Sequence, residues 1–177
     1  MEKTIIQKNN LGDTRTADRM PTIKEFKTAN HNHRANVSLI MSRFGHALSV
    51  RGVSHDWTKA EEPYKSAFYQ AMTLTMEAGK DFNETDWAMI HYARERHHLN
   101  RFVPPDVNLI DVIEMICDCC EAAAARSGEI RYLIELPNEV LQKAVQNTVA
   151  MVWDSLDIRG WEPGEGEEAD HERESEV

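Results

Sequence analysis

The stretch LPNEVLQKAVQNTVAMVWDSL, residues 136–156, places Val140, Leu141, Ala144, Val145, Thr148, Val149, Val152, Trp153 and Leu156 on one side of a helix that Pro137 can open. No other segment states its period so plainly, and the same rhythm recurs upstream. In PTIKEFKTANHNHRANVSLIMSRFGHALSV, residues 21–50, the residues Phe26, His33, Val37, Ile40, Phe44 and Leu48 fall at helical intervals, with Met41 beside them. At about 100° per residue His33 lies on that apolar stripe, whereas His31 and His46 come out on the opposite side. Beyond Pro63, a third helix is expected from Tyr64, Phe68, Ala71, Met72 and Thr75. A fourth is expected to start at Asn83 as cap, with Asp86 three residues on and Trp87, Ile90 and His91 facing inward.

PPDVNLIDVIEMICDCCEAAAARSG, residues 104–128, reads as a further helix that starts after the two prolines and stops near Gly128. Its apolar stripe is Ile110, Ile113, Cys117, Cys120 and Ala124. Asp118 lies off that stripe, with Asp111, Glu114 and Ala122, so the helix taken alone makes it a solvated acid. Residues 129–136, EIRYLIEL, leave a short strand and a helical extension both open. With no internal repeat and no series of alternating strands, the expected fold is all-α. The expected organisation is a single helical bundle over residues 21–159, an N-terminal arm over 1–20, and an acidic tail over 160–177.

Charge supports the separation of the tail. The 177-residue chain has a formal net charge of -10, but residues 160–177, GWEPGEGEEADHERESEV, hold eight of its thirty acids and one of its twenty Lys and Arg. Residues 1–159 are therefore nearly balanced, at -3. A Gly, Pro and Glu run with almost nothing apolar cannot offset the entropy of ordering, so the tail is expected to be disordered. The body has no basic patch, which argues against duplex nucleic acid as a partner, since phosphate contacts supply most of that affinity. Single nucleotides stay compatible. The opening MEKTIIQKNN has no sustained apolar region, and no stretch approaches the roughly 20 apolar residues a membrane span needs, so no membrane partner and a cytoplasmic location are expected. The three cysteines, Cys117, Cys119 and Cys120, have no disulfide spacing and are read as buried reduced thiols. A structural zinc site would need further ligands that nothing nearby supplies.

The chemistry-bearing residues stand in a definite order: His33, then the adjacent pair His55 and Asp56 in SHDWTK, then His91, then His97 and His98, then Asp118, each on or beside a different expected helix. That order resembles the metal-dependent HD-domain phosphohydrolase superfamily, over roughly residues 26–156. HDWTK, the block from His91 to Asn100, and EMICDCCEAA look closest to an uncharacterised HD-like family of phages and bacteria, which would place a phage-encoded copy in the bacterial host cytoplasm.

The resemblance implies a divalent metal ion, one or two per chain, of the Mn, Fe, Zn, Co or Mg type. One ion would be held by His33, His55, Asp56 and Asp118. Asp56 would bridge to a second held by His91 with His98 or His97. Neutral imidazoles and carboxylates together suit such ions, and helices can bring them together from distant parts of a chain. An ion with open positions lowers the pKa of bound water toward about 7 and polarises a phosphoryl oxygen. The implied activity is therefore hydrolysis of a nucleotide or other small phosphorylated substrate. Asp56 would be catalytic, and Lys59, three residues after it, would orient or neutralise phosphate. Two readings of other classes stand beside this one: a noncatalytic HD-like module that binds a nucleotide or protein, and a plain helical interaction protein without metal. A homo-oligomer stays open, because the long apolar stripes can serve a core or a subunit interface.

Overall fold

In the computed structural model, residues 3–12, 15–129 and 134–160 are described. The fold class is all-α: α1 (Ile23–Ser54), α2 (Trp57–Ala60), α3 (Tyr64–Ala78), α4 (Asp86–Arg94), α5 (Leu109–Ser127) and α6 (Asn138–Asp154). A single pair of four-residue strands, β1 (Thr4–Gln7) and β2 (Leu156–Arg159), completes the described elements. The acidic tail from residue 161 lies outside the described residues, as do residues 130–133 of the segment left open between strand and helix.

The chain divides into two compact units, Met1–Met41 with Asp154–Val177, and Ser42–Trp153. In the first, β1 pairs with β2 in parallel, Thr4 opposite Leu156 and Gln7 opposite Arg159. Leu11 and Ala29 are buried in this unit, and Gly12 is required there, because a Cβ at that position would come within 3.0 Å of Ala29 Cβ. The apolar stripe expected on α1 is a helix face but not a core face. Ile23, Phe26, Val37 and Met41 are exposed, and Ala29 is the one buried residue of the helix. His33 is exposed as well, a correction to its expected inward orientation: a side chain on a stripe is buried only where something packs against the stripe.

The second unit holds two cores. One gathers Leu99, Val107, Val112, Met115, Val140 and Ala144, so α5 and α6 close over the loop that precedes α5. The other gathers Ala71, Trp87 and Ala88, with Phe68, Phe82 and Tyr92 packed against them. Helix ends follow local chemistry. Pro63 precedes α3, Gly79 ends it in the left-handed conformation at φ 66, and Gly128 does the same after α5 at φ 71. Asn108 caps α5 in a full capping box with Asp111. The α4 cap is Thr85, whose side chain accepts from Ala88 N, rather than Asn83, which lies in a preceding 3-10 turn. Ile90 is exposed rather than inward, while Trp87 and His91 are buried.

The α5 stripe is also corrected. Ile113 is 40% exposed and Cys117 is exposed, while the buried side carries Asp111 and Glu114 together with Val112 and Met115. Ile110 of the expected stripe is buried, so the inward side joins the start of that stripe to two of the acids that periodicity assigns to solvent. The cysteines form no disulfide, but Cys117 is exposed and Cys119 and Cys120 are half-buried, so they are not the buried set expected.

Candidate metal centre

Helix α1 ends at Ser54, and Asp56 then adopts φ 53 and ψ 33, the left-handed region that Asp tolerates better than most residues. This reversal starts α2 and lets neighbouring side chains serve one centre. On α5, Asp111, Glu114 and Asp118 are spaced three and four residues apart and so share a face. Helix α4 stops at Arg94, so His91 and His98 are not joined by a continuing helix; a tight turn does it, through Glu95 N to His91 O at 2.9 Å and Arg101 N to His98 O at 2.9 Å.

These elements bring six of the expected residues together: His55, Asp56, His91, His97, His98 and Asp118. Three groupings can each hold a metal ion, namely His55, His97 and Asp118; Asp56, His97 and His98; and Asp56, His91 and Glu95. His33 belongs to none of them. Cysteine takes no part either.

His55 Nε2 stands 3.6 Å from Asp56 Oδ2 and 3.5 Å from Asp118 Oδ1. His97 Nε2 stands 3.5 Å from Asp56 Oδ1 and 4.0 Å from Asp118 Oδ2. Separations of this size are too long for hydrogen bonds. The two 3.5 Å separations reach the upper end of the edges of a coordination polyhedron, roughly 3 to 3.5 Å when ligand atoms lie about 2.0 to 2.2 Å from an ion, and the 3.6 and 4.0 Å separations lie beyond it. His97 Nε2 and Asp56 Oδ1 are buried without a hydrogen-bond partner, atoms that an ion would satisfy, and His97 Nδ1 forms no well-aligned hydrogen bond although Glu114 Oε1 stands 3.2 Å away. Asp56 offers Oδ2 toward His55 and Oδ1 toward His91 and His97, with His91 Nε2 at 3.5 Å. Its carboxylate is placed between the first and the other groupings, and Lys59 is hydrogen-bonded to it.

Electrostatics favour a cation here. Arg51 binds both Asp111 and Glu114 at 2.8 Å, and Arg96 binds Asp111 at 2.8 Å and Asp106 at 3.0 Å. Asp118 has no Lys or Arg partner among the described residues, only the two imidazoles. Burial acts most strongly on His55 and would lower its pKa, but Glu114, Asp56 and Asp118 outweigh it and draw a proton onto the ring. An ion would supply the same positive charge. Burial and the neighbouring His98 push His91 down to about 3; burial and His97 push His98 down to about 4. Both rings are thus kept neutral, the form in which imidazole binds metals. For Glu114, burial would raise the pKa, but His97, His55 and Arg51 around it hold it at about 2.

The model of the family of unknown function DUF5662 matches residues 22–155. The chain belongs to that family. No curated protein and no solved structure matches it. In this DUF5662 chain the match takes in every residue of the centre.

Sequence reading did not find Thr58, Glu95, Glu114, Arg51, Arg96 or Asp111. Thr58 donates to Glu95 Oε1 at 2.7 Å and lies 2.7 Å from His91 Nδ1, completely buried. Trp87 stacks on His91 at 4.6 Å between ring centroids. The available signal was the spacing of Asp111, Glu114 and Asp118 on one face, which apolar periodicity alone places toward solvent although Asp111 and Glu114 are buried.

Three pockets of the DUF5662 chain meet at Asp118. One of ≈ 530 Å³ reaches Arg51, His55 and Glu121. A second of ≈ 600 Å³ is walled by His97, His98, Asn100, Arg101 and Arg126. A third of ≈ 480 Å³ runs from Lys59, His91 and His98 to Phe68, Met72 and Phe82. The last two share Tyr92, His98, Asp118 and Arg126.

Proposed function

We propose that this chain is an HD-type metal-dependent phosphohydrolase acting on a small phosphoester, a nucleotide being the leading class. The observation that carries the reading is the convergence of His55, His97 and Asp118, and of Asp56, His97 and His98, into neighbouring groupings that could each hold an ion, with pockets open beside them. One ion would rest on His55, His97, Asp56 and Asp118, and a second would rest on Asp56 with His91 and His98. His33 has no part in this version of the centre. A divalent ion supplies a lowered water pKa and a polarised phosphoryl oxygen when bound.

The chain's own residues do the rest. Asp56 faces both ion positions and is itself steadied by Lys59. Arg101 and Arg126 line the polar pocket, and no carboxylate among the described residues pairs with either, so their guanidiniums are free to receive phosphate oxygens. The apolar wall of Phe68, Met72 and Phe82 suits a flat or apolar group attached to that phosphate.

Purified protein loaded with Mn, Fe or Zn, assayed against a panel of nucleotides and simple phosphoesters, should hydrolyse at least one, and Asp56→Ala should abolish turnover while circular dichroism stays unchanged. Equal turnover in the folded variant, or none across the panel by metal-loaded wild type, sinks the assignment.

A further inference from the structure

We propose that two buried glutamates, Glu114 and Glu95, the latter taken up by Thr58 and so left out of the ligands proposed above, set the tautomers of the centre's imidazoles, so that Nε2 of His55, His97 and His91 all present lone pairs toward Asp56. This rests on the metal-centre reading and not on hydrolysis or on any substrate.

A neutral imidazole has one N–H and one lone pair, and the partner of one nitrogen decides the role of the other. Glu114 Oε1 stands 3.0 Å from His55 Nδ1 and 3.2 Å from His97 Nδ1. An ionised carboxylate only accepts, so His55 Nδ1 carries its hydrogen toward it; His97 Nδ1 faces the same oxygen without a well-aligned hydrogen bond, and a hydrogen on that nitrogen is the one the carboxylate favours. Its other oxygen, Oε2, takes a hydrogen bond from Arg51 at 2.8 Å, which stops the carboxylate from rotating. Arg51 is fixed in turn by Asp111 at 2.8 Å.

Glu95 acts through an intermediary. Thr58 N and Oγ1 both donate to Glu95 Oε1, at 2.9 and 2.7 Å. The hydroxyl has a single hydrogen, now used, so at 2.7 Å from His91 Nδ1 it can only accept. His91 therefore carries its hydrogen on Nδ1, and the lone pair of its Nε2 faces His98 Nε2 at 2.7 Å, which donates to it in the metal-free chain, with Asp56 Oδ1 3.5 Å away. Two glutamates from different parts of the chain thus impose one tautomer on three rings. The lone pairs of His55 Nε2 and His97 Nε2 face carboxylate oxygens at 3.5 to 3.6 Å with no hydrogen between them, a repulsion that a cation among them would relieve. Glu114 and Glu95 are positioning residues, in the manner of the outer carboxylates that orient metal-bound histidines.

The test uses full-length protein, with Mn²⁺ and Co²⁺ as probes. Glu114→Gln keeps the shape but offers an N–H to one of the two rings. It should weaken Mn²⁺ binding by about 10- to 100-fold and shift the visible spectrum of bound Co²⁺, while Glu121→Gln two turns further on changes neither. Thr58→Val should weaken Mn²⁺ binding likewise. Long-range proton–nitrogen NMR of wild-type protein loaded with Zn²⁺ should show Nδ1–H tautomers for His55, His91 and His97. Folded Glu114→Gln with wild-type affinity and spectrum overturns the proposal. Nε2–H tautomers overturn it too, and they decide the matter even if the variants fail to fold. Absence of metal binding by wild type would instead remove the metal centre on which both rest.

Discussion

Asp111 and Asp118 stand on the same face of α5, two turns apart, and the protein treats them in opposite ways. Asp111 is fully buried and saturated: Arg51, Arg96 and the backbone N–H of Asn108 all donate to it at 2.8 to 3.0 Å. Asp118 is 26% exposed at its side chain, borders three pockets, and meets only imidazole nitrogens at 3.5 to 4.0 Å. One end of the helix face is closed by the chain's own cations, and the other belongs to a grouping that could hold a metal ion. Glu114, between them, belongs to both, with one oxygen on Arg51 and the other on the two imidazoles.

This contrast can be broken by substitution at each end. Asp111→Ala leaves Arg51 and Arg96 short of a partner and should cost about 3 kcal/mol of stability, read by urea unfolding of the metal-free protein; a loss under about 1 kcal/mol would show that the closed end is not a structural anchor. Asp118→Asn should do the reverse. It should leave metal-free stability within about 1 kcal/mol of wild type but weaken Mn²⁺ binding at least tenfold by titration, because a ligand matters no less than the outer groups around it. Large destabilisation with intact Mn²⁺ affinity would merge the two ends into one structural network.

Acid should separate the ends more gradually. In the metal-free protein His91, His98 and Glu114 have folded pKa values of about 3, 4 and 2, all depressed, so the unfolded chain binds more protons in that range. Stability from the two histidines is full above their ordinary pKa near 6.5, and that from Glu114 above about 4.5. Both contributions are lost as pH falls through the folded values. His55, with a raised pKa, works in the other direction, and its contribution is lost as pH rises above 6.5. Denaturant midpoints should therefore peak near neutrality and fall on the acid side, and a flat profile from pH 7 to 4 would contradict the neutral-imidazole centre. The smallest effect belongs to His33→Ala. An exposed site outside the centre should shift stability by less than about 0.5 kcal/mol and Mn²⁺ affinity not at all, whereas a tenfold loss of affinity would restore His33 to the ligand set.

The helices themselves were legible. Pro63, Pro137 and Gly128 mark their ends, and the apolar spacing of α3, α5 and α6 states their period. The direction of α5 was not, because periodicity assumes that the buried side is the apolar side. Here the buried side is acidic, made tolerable by two arginines and two imidazoles from elsewhere in the chain. The pair His55 and Asp56, the later histidines and Asp118 could be picked out by residue type and order. Glu114, Glu95 and Thr58 could not, since their roles come from partners such as Thr58 and Glu95, which are 37 residues apart and share no motif. Nor could β1, whose four residues pair with a segment at the far end of the chain.

The most direct test is elemental analysis of protein purified without a metal-affinity tag, beside Asp56→Ala, after dialysis against limiting Mn, Fe and Zn. One or two ions per wild-type chain, lost in a variant that stays folded, is the predicted result. No ion in wild type, or equal content in both proteins, would contradict a metal centre built on Asp56.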